Sequence, residues 1–169
     1  MKTAVIYSSK TGNTKKIAEA IKSSIENDCE IFSVKDNPDI EKFDLIFFGA
    51  WVDKGIPDKD ALEYMKTINN KKVALFMTLG AYPDSDHAKE SIQNGIDSFG
   101  ENCEVIDTFI CQGAIDPKLI EWMEKLPENH PHAPDSARRK RWKEASEHPN
   151  KLDCIKAVNF THKCLKGRQ

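Results

Sequence analysis

No apolar stretch of the 169 residues approaches the roughly 20 that a membrane-spanning helix needs, and a single Lys with five further residues before Ser8 is too little for a signal peptide. Five cysteines (Cys29, Cys103, Cys111, Cys154 and Cys164) form no Cys-x-x-Cys pair, so an iron–sulfur or structural zinc site is excluded. They read as small core residues in a reducing compartment. Neither sign of charge dominates, with 25 Lys and Arg against 27 Asp and Glu, which argues against a nucleic-acid partner. No Gly-x-Ser-x-Gly elbow, zinc-protease helix or Cys-based phosphatase loop occurs, and His130, His132, His148 and His162 lack metal-ligand spacing. These absences imply a soluble cytoplasmic protein with no membrane partner, no metal and no catalytic residue of its own. Repeats and low-complexity tracts are missing as well, and the length suits one domain over 1–169.

What is present is an alternation. Apolar runs suited to buried strands recur at Ala4–Tyr7, Glu30–Val34, Leu45–Phe48, Val73–Thr78 and Val105–Cys111. Amphipathic stretches over about 13–26, 58–69 and 86–99 separate most of them, and a short helical turn suffices for 35–44. This pattern predicts an α/β fold, a parallel sheet covered by helices on both faces, with a core over 1–112. A C-terminal helical extension follows over about 113–169. Its first helix carries Leu119, Ile120, Met123 and Leu126 with Trp122 beside the stripe, and its second is the basic segment Asp135–His148. The last, about 151–166, presents Leu152, Ile155, Val158, Thr161 or His162, and Leu165 at helical spacing and is expected to dock on the sheet. Residues 127–169 hold ten basic and five acidic side chains, a formal +5 against −7 for 1–126. The basic helix reads either as a patch for an acidic partner or as a solvated face over Trp142.

The junction after the first strand is specialised. Ser8-Ser9-Lys10-Thr11-Gly12-Asn13-Thr14 separates the strand from a helix whose Ile17, Ala18, Ile21 and Ile25 lie on one face. Hydroxyls, exposed N–H groups and the positive end of a helix dipole then converge on one point, as phosphate binding requires. A cap alone would need one such residue. The Gly-Lys-Ser/Thr ending of a triphosphatase loop is absent. Ligands of open parallel sheets bind beyond the carboxyl ends of the strands. There, Gly49-Ala50-Trp51-Val52-Asp53-Lys54-Gly55-Ile56-Pro57 follows the third strand and Thr78-Leu79-Gly80-Ala81-Tyr82-Pro83-Asp84 the fourth. A phosphate loop beside two aromatic-bearing loops fits a phosphorylated, planar aromatic ligand.

The segment Ser9-Lys10-Thr11-Gly12-Asn13-Thr14 resembles the phosphate signature of the flavodoxin family, and the likeness extends over roughly residues 1–112. The resemblance implies a flavodoxin-like three-layer sandwich with a five-stranded parallel sheet of order 2-1-3-4-5. It implies flavin mononucleotide (FMN) as cofactor, with Ser9 through Thr14 on the phosphate. Ala50, Trp51, Val52, Asp53, Lys54 and Gly55 would form one ring-binding loop, and Thr78, Leu79, Gly80, Ala81 and Tyr82 the other. Trp51 would stack on or flank the isoalloxazine, Tyr82 would cover its other face or edge, and a carbonyl near Gly55 would accept from N5–H of the reduced flavin, stabilising the neutral semiquinone. The implied function is electron transfer from a donor reductase to an acceptor redox enzyme. The alternative is an FMN-dependent oxidoreductase acting on a small molecule such as a quinone or tetrapyrrole, with residues 113–150 forming part of a pocket.

Overall fold

The computed structural model describes residues 1–26 and 28–166. In chain order these form β1 (Thr3–Tyr7), α1 (Asn13–Ser23), β2 (Cys29–Ser33), a 3-10 turn (Val34–Asp36), β3 (Leu45–Asp53), β4 (Ile56–Pro57), α2 (Lys59–Met65), β5 (Lys72–Leu79), α3 (Asp86–Ile96), β6 (Glu104–Gln112), α4 (Pro117–Glu124), α5 (Ser136–Ala145) and α6 (Lys151–Lys166). The five long strands are parallel in the order β2-β1-β3-β5-β6, which is the 2-1-3-4-5 arrangement implied by the resemblance. None of the described helices is long and apolar enough to cross a membrane.

Alternation along the central strands assigns each side chain to a layer. Val5, Leu45, Phe47, Ala74 and Phe76 pack against Ile17, Ala18 and Ile21 of α1 and Ala157 and Phe160 of α6. Ala4, Ile6, Ile46, Phe48, Val73, Leu75 and Met77 face the other way, onto Ala61, Tyr64 and Met65 of α2. Phe47, Phe48 and Phe76 are fully buried, and each such side chain contributes about 1.5–3 kcal/mol.

Two sequence expectations are corrected here. β3 does not stop at Phe48 but runs to Asp53 and turns through Lys54 and Gly55 into β4, which pairs antiparallel with it. Both turn residues take positive φ, 51° and 85°, the handedness that two-residue hairpins require. Ala50, Trp51, Val52 and Asp53 therefore stand on a strand end, not in a loop. α6 docks on the sheet as expected, with Thr161 buried and Leu165 packed on the core, but the start of its expected stripe is turned out: Leu152 and Ile155 are 56% and 47% exposed, while Asp153, Ala157, Phe160 and Cys164 point inward. Small residues let α6 lie close to α1, and buried Asp153 is satisfied by the backbone N–H of Asn150 at 2.8 Å and by His148 Nδ1 at 2.5 Å.

Candidate functional site

The carboxyl ends of β1, β3 and β5 open into a cleft of about 550 Å³. Ser9, Lys10, Thr11, Asn13 and Thr14 line it from the first junction, Trp51 and Val52 from the end of β3, and Thr78, Leu79, Gly80, Ala81 and Tyr82 from the end of β5 and the segment after it. The three segments chosen from sequence thus meet around one space. Gly12, Ala50, Asp53, Lys54 and Gly55 do not line it. Ala50 is buried in the sheet, and Asp53 borders a smaller neighbouring depression of about 200 Å³. The Gly55 carbonyl accepts from Asn94 Nδ2 at 2.8 Å, so it is engaged in pinning the hairpin to α3.

Among the described residues, the start of α1 differs from every other α-helix start. Asp58, Ser85, Asp116 and Asp135 cap α2, α3, α4 and α5 with their side chains, and Asn150 Oδ1 accepts from the N–H groups of Leu152 and Asp153 in α6. α1 begins at Gly12, whose φ of 99° favours glycine, and no side chain caps it. Its first N–H groups carry the positive end of the helix dipole beside the cleft. Asn13 donates to the Ala114 carbonyl at 2.8 Å, and fully buried Thr14 shares a hydrogen bond with Thr78 at 2.9 Å. Ser9 Oγ accepts from Gly12 N–H at 3.2 Å, and Thr11 is exposed at the mouth.

Asp58 escaped the sequence reading, although its place after Pro57 at a helix entry was the available signal. It is 3% exposed, accepts from Ser8 Oγ at 2.6 Å and from Ala61 N–H at 3.2 Å through one oxygen, and from Trp51 N–H at 3.3 Å through the other. One carboxyl therefore joins the end of β1, the Trp51 backbone and α2. Burial pushes its pKa up, and the three hydrogen bonds oppose that rise.

The cleft has a further wall, which comes from the extension. Gly113 through Asp116, Leu119 and Met123 line it from the chain after β6 and from α4, and His132, Arg138, Arg141 and Trp142 from α5 and the segment before it. Ser85 and His87 at the start of α3 complete the rim. Lys10 forms an ion pair with Asp116 at 3.1 Å and sits 5.9 Å above the Trp51 ring. Hydrogen bonds from Lys118 N–H and Lys10 hold the Asp116 carboxyl below its ordinary range. Tyr82, 40% exposed, donates to Glu144 Oε2 at 2.5 Å and ties α5 to the segment after β5. On α5, Trp142 is buried beneath the helix as one sequence reading held, Arg139 and Lys140 are solvated, and Arg138 and Arg141 line the cleft.

A family model described as a flavodoxin domain matches residues 4–162. The chain is 35% identical over 167 residues to the flavodoxin-like domain-containing protein BilS of Clostridioides difficile (strain CD3), covering 95% of this chain and 94% of that protein. Among solved structures, Fusobacterium nucleatum flavodoxin bound to flavin mononucleotide superposes with a TM-score of 0.60 at 15% identity, covering all of both chains. Oxidised Flavodoxin 2 from Bacillus cereus superposes with a TM-score of 0.57 at 16% identity over 99% of each. The chain belongs to the flavodoxin family, and the match spans the extension as well as the core.

Proposed function

On that membership we propose that the chain binds FMN in the cleft and carries electrons between a donor reductase and an acceptor redox enzyme. The observation that carries this reading is the uncapped start of α1, set among Ser9 and Thr11. A phosphate there gains N–H donors and a favourable dipole without displacing an existing cap. The rest of the cleft suits the remainder of the cofactor, since Trp51 and Tyr82 bring aromatic surface from two sides and Val52, Leu79 and Ala81 keep the space apolar. The residues therefore fit the group. When bound, FMN supplies one- and two-electron chemistry. The chain holds the phosphate at α1, fixes Trp51 through the hydrogen bond from its N–H to Asp58, and limits water through the α4–α5 wall.

That wall favours a second reading, in which the flavin acts directly on a small molecule such as a quinone or tetrapyrrole. A carrier that docks on other proteins needs an exposed cofactor edge, whereas residues 113–142 enclose part of the cleft. Purified protein distinguishes the readings by whether it oxidises a nicotinamide cofactor with only a small acceptor present. The cofactor itself is tested by absorption and by titration. Wild type is expected to take up FMN and show flavin bands, and Thr11→Ala to weaken FMN about tenfold more than riboflavin, because a hydroxyl on a phosphate is worth about 1.5–3 kcal/mol. A preparation that stays colourless after FMN is added refutes the proposal.

A further inference from the structure

α5 carries basic side chains on two faces, and they are balanced differently. On the outer face Arg139 donates to both oxygens of Glu124 at 2.9 and 2.7 Å, and Lys140 lies 3.9 Å from Glu144. On the inner face Arg138 and Arg141, one turn apart, line the cleft. Among the described residues neither inner guanidinium has a carboxylate within 4.0 Å. Arg138 Nη1 donates to the Ala133 carbonyl at 3.2 Å, and Arg141 Nε is buried with no hydrogen-bond partner. A buried cationic donor left unpaired is costly, and an anion arriving beside it removes that cost.

FMN does not account for these two charges. Its anionic group is the phosphate, which the preceding reading assigns to the start of α1, and its oxidised ring is uncharged. Arg138 and Arg141 instead stand on α5, which Glu144 ties to Tyr82 after β5. Leu119, Met123 and Trp142 supply apolar surface to the same wall. A fork of planar donors beside an apolar wall suits a carboxylate on a flat hydrophobic body.

Resting on the FMN reading of the inner cleft, we propose that the α4–α5 side is a second ligand compartment for a planar organic carboxylate. Arg138 and Arg141 hold the carboxylate, and Leu119, Met123 and Trp142 pack on the ring.

Naphthalene-2-carboxylate and naphthalene-2-carboxamide share one ring system and differ in charge. Each is titrated into FMN-loaded protein and followed by calorimetry and by the flavin absorption bands. The acid is expected to bind about tenfold or more tightly than the amide, the minimum for a charge-assisted hydrogen bond. Arg138→Gln and Arg141→Gln are each expected to bring the acid to the amide's affinity, Arg141→Lys to restore part of the preference, and Arg139→Gln to leave it intact. FMN affinity stays the same in all four variants. Equal affinity for acid and amide in wild type, or binding of neither, overturns the compartment while leaving FMN binding standing. Arg variants that weaken FMN as much as the acid also overturn it, because the arginines then serve the flavin. A chain that takes up no FMN overturns both readings.

Discussion

α1 and α5 look into the same cleft but are held in place by different forces. α1 buries Thr14, Ile17, Ala18 and Ile21 completely, and it is clamped between the sheet and α6. The wall opposite is lighter: α4 has no buried residue, Leu119 and Trp122 are 46% and 51% exposed, and only Trp142 and Ala145 anchor α5. Polar ties do much of the rest, through Lys10 to Asp116, Tyr82 to Glu144 and Arg139 to Glu124. Exposed ion pairs of this kind add little to stability. The cleft thus has one side whose geometry is fixed by hydrophobic burial and another whose position rests on a single large anchor. The rigid side carries the uncapped start of α1, and the lighter side carries the unbalanced arginines.

If that contrast holds, substitutions on the rigid side are felt by the whole molecule. Phe47→Ala gives the largest effect. Phe47 is fully buried between α1 and α6 and meets Phe160 edge-on at 5.9 Å, so its removal is expected to cost about 3–5 kcal/mol in urea unfolding. A loss under about 1 kcal/mol would mean that the sheet face is far less tightly packed than its burial indicates.

Asp58 comes next, because it links three elements of the rigid side at the mouth of the cleft. Asp58→Ala removes a helix cap worth about 1 kcal/mol and strands the buried Ser8 hydroxyl, so a loss of about 2–3 kcal/mol is expected. The sign of its pH dependence follows from the raised pKa. The native state binds a proton before the unfolded chain does. The stabilisation from this group is therefore fully present below the ordinary value of 3.8 and is lost as pH rises through the higher native value. Asp58→Asn is expected to flatten that part of the stability profile. An unchanged slope in the variant would place its origin elsewhere.

The two sides also differed in how far the sequence revealed them. The strands were legible because Ala4–Tyr7, Leu45–Phe48 and Val73–Thr78 are apolar on both faces, and the phosphate segment because hydroxyls crowd around Gly12. The extension of β3 was hidden by Gly49 and by Lys54-Gly55, which read as loop until the turn they form pairs Val52 and Asp53 with Pro57 and Ile56. The face of α6 was misjudged at its start because the larger apolar residues, Leu152 and Ile155, gave the stronger stripe, whereas packing against α1 and the sheet selects Ala157, Phe160 and Cys164. The consecutive basic residues of α5 could not declare which of them turn inward. That depends on Trp142 finding the cleft, a tertiary event that periodicity does not encode.

Trp142 gives the sharpest and smallest test of the difference between the two sides. It is 6% exposed and is the only large apolar side chain that α5 buries, so Trp142→Ala removes most of what holds the wall down. In a uniformly cooperative molecule such a deletion costs about as much as Phe47→Ala. If α4–α5 opens on its own, the loss cannot exceed the free energy that keeps the wall closed, because beyond that point the variant simply populates the open form. A cost of about 1–2 kcal/mol is therefore expected in global unfolding. Hydrogen exchange distinguishes the cases residue by residue. Amides of 117–145 are expected to lose protection in the variant while those of β1, β3 and β5 keep theirs. Equal loss of protection across the sheet and the wall would make the extension an integral part of the core.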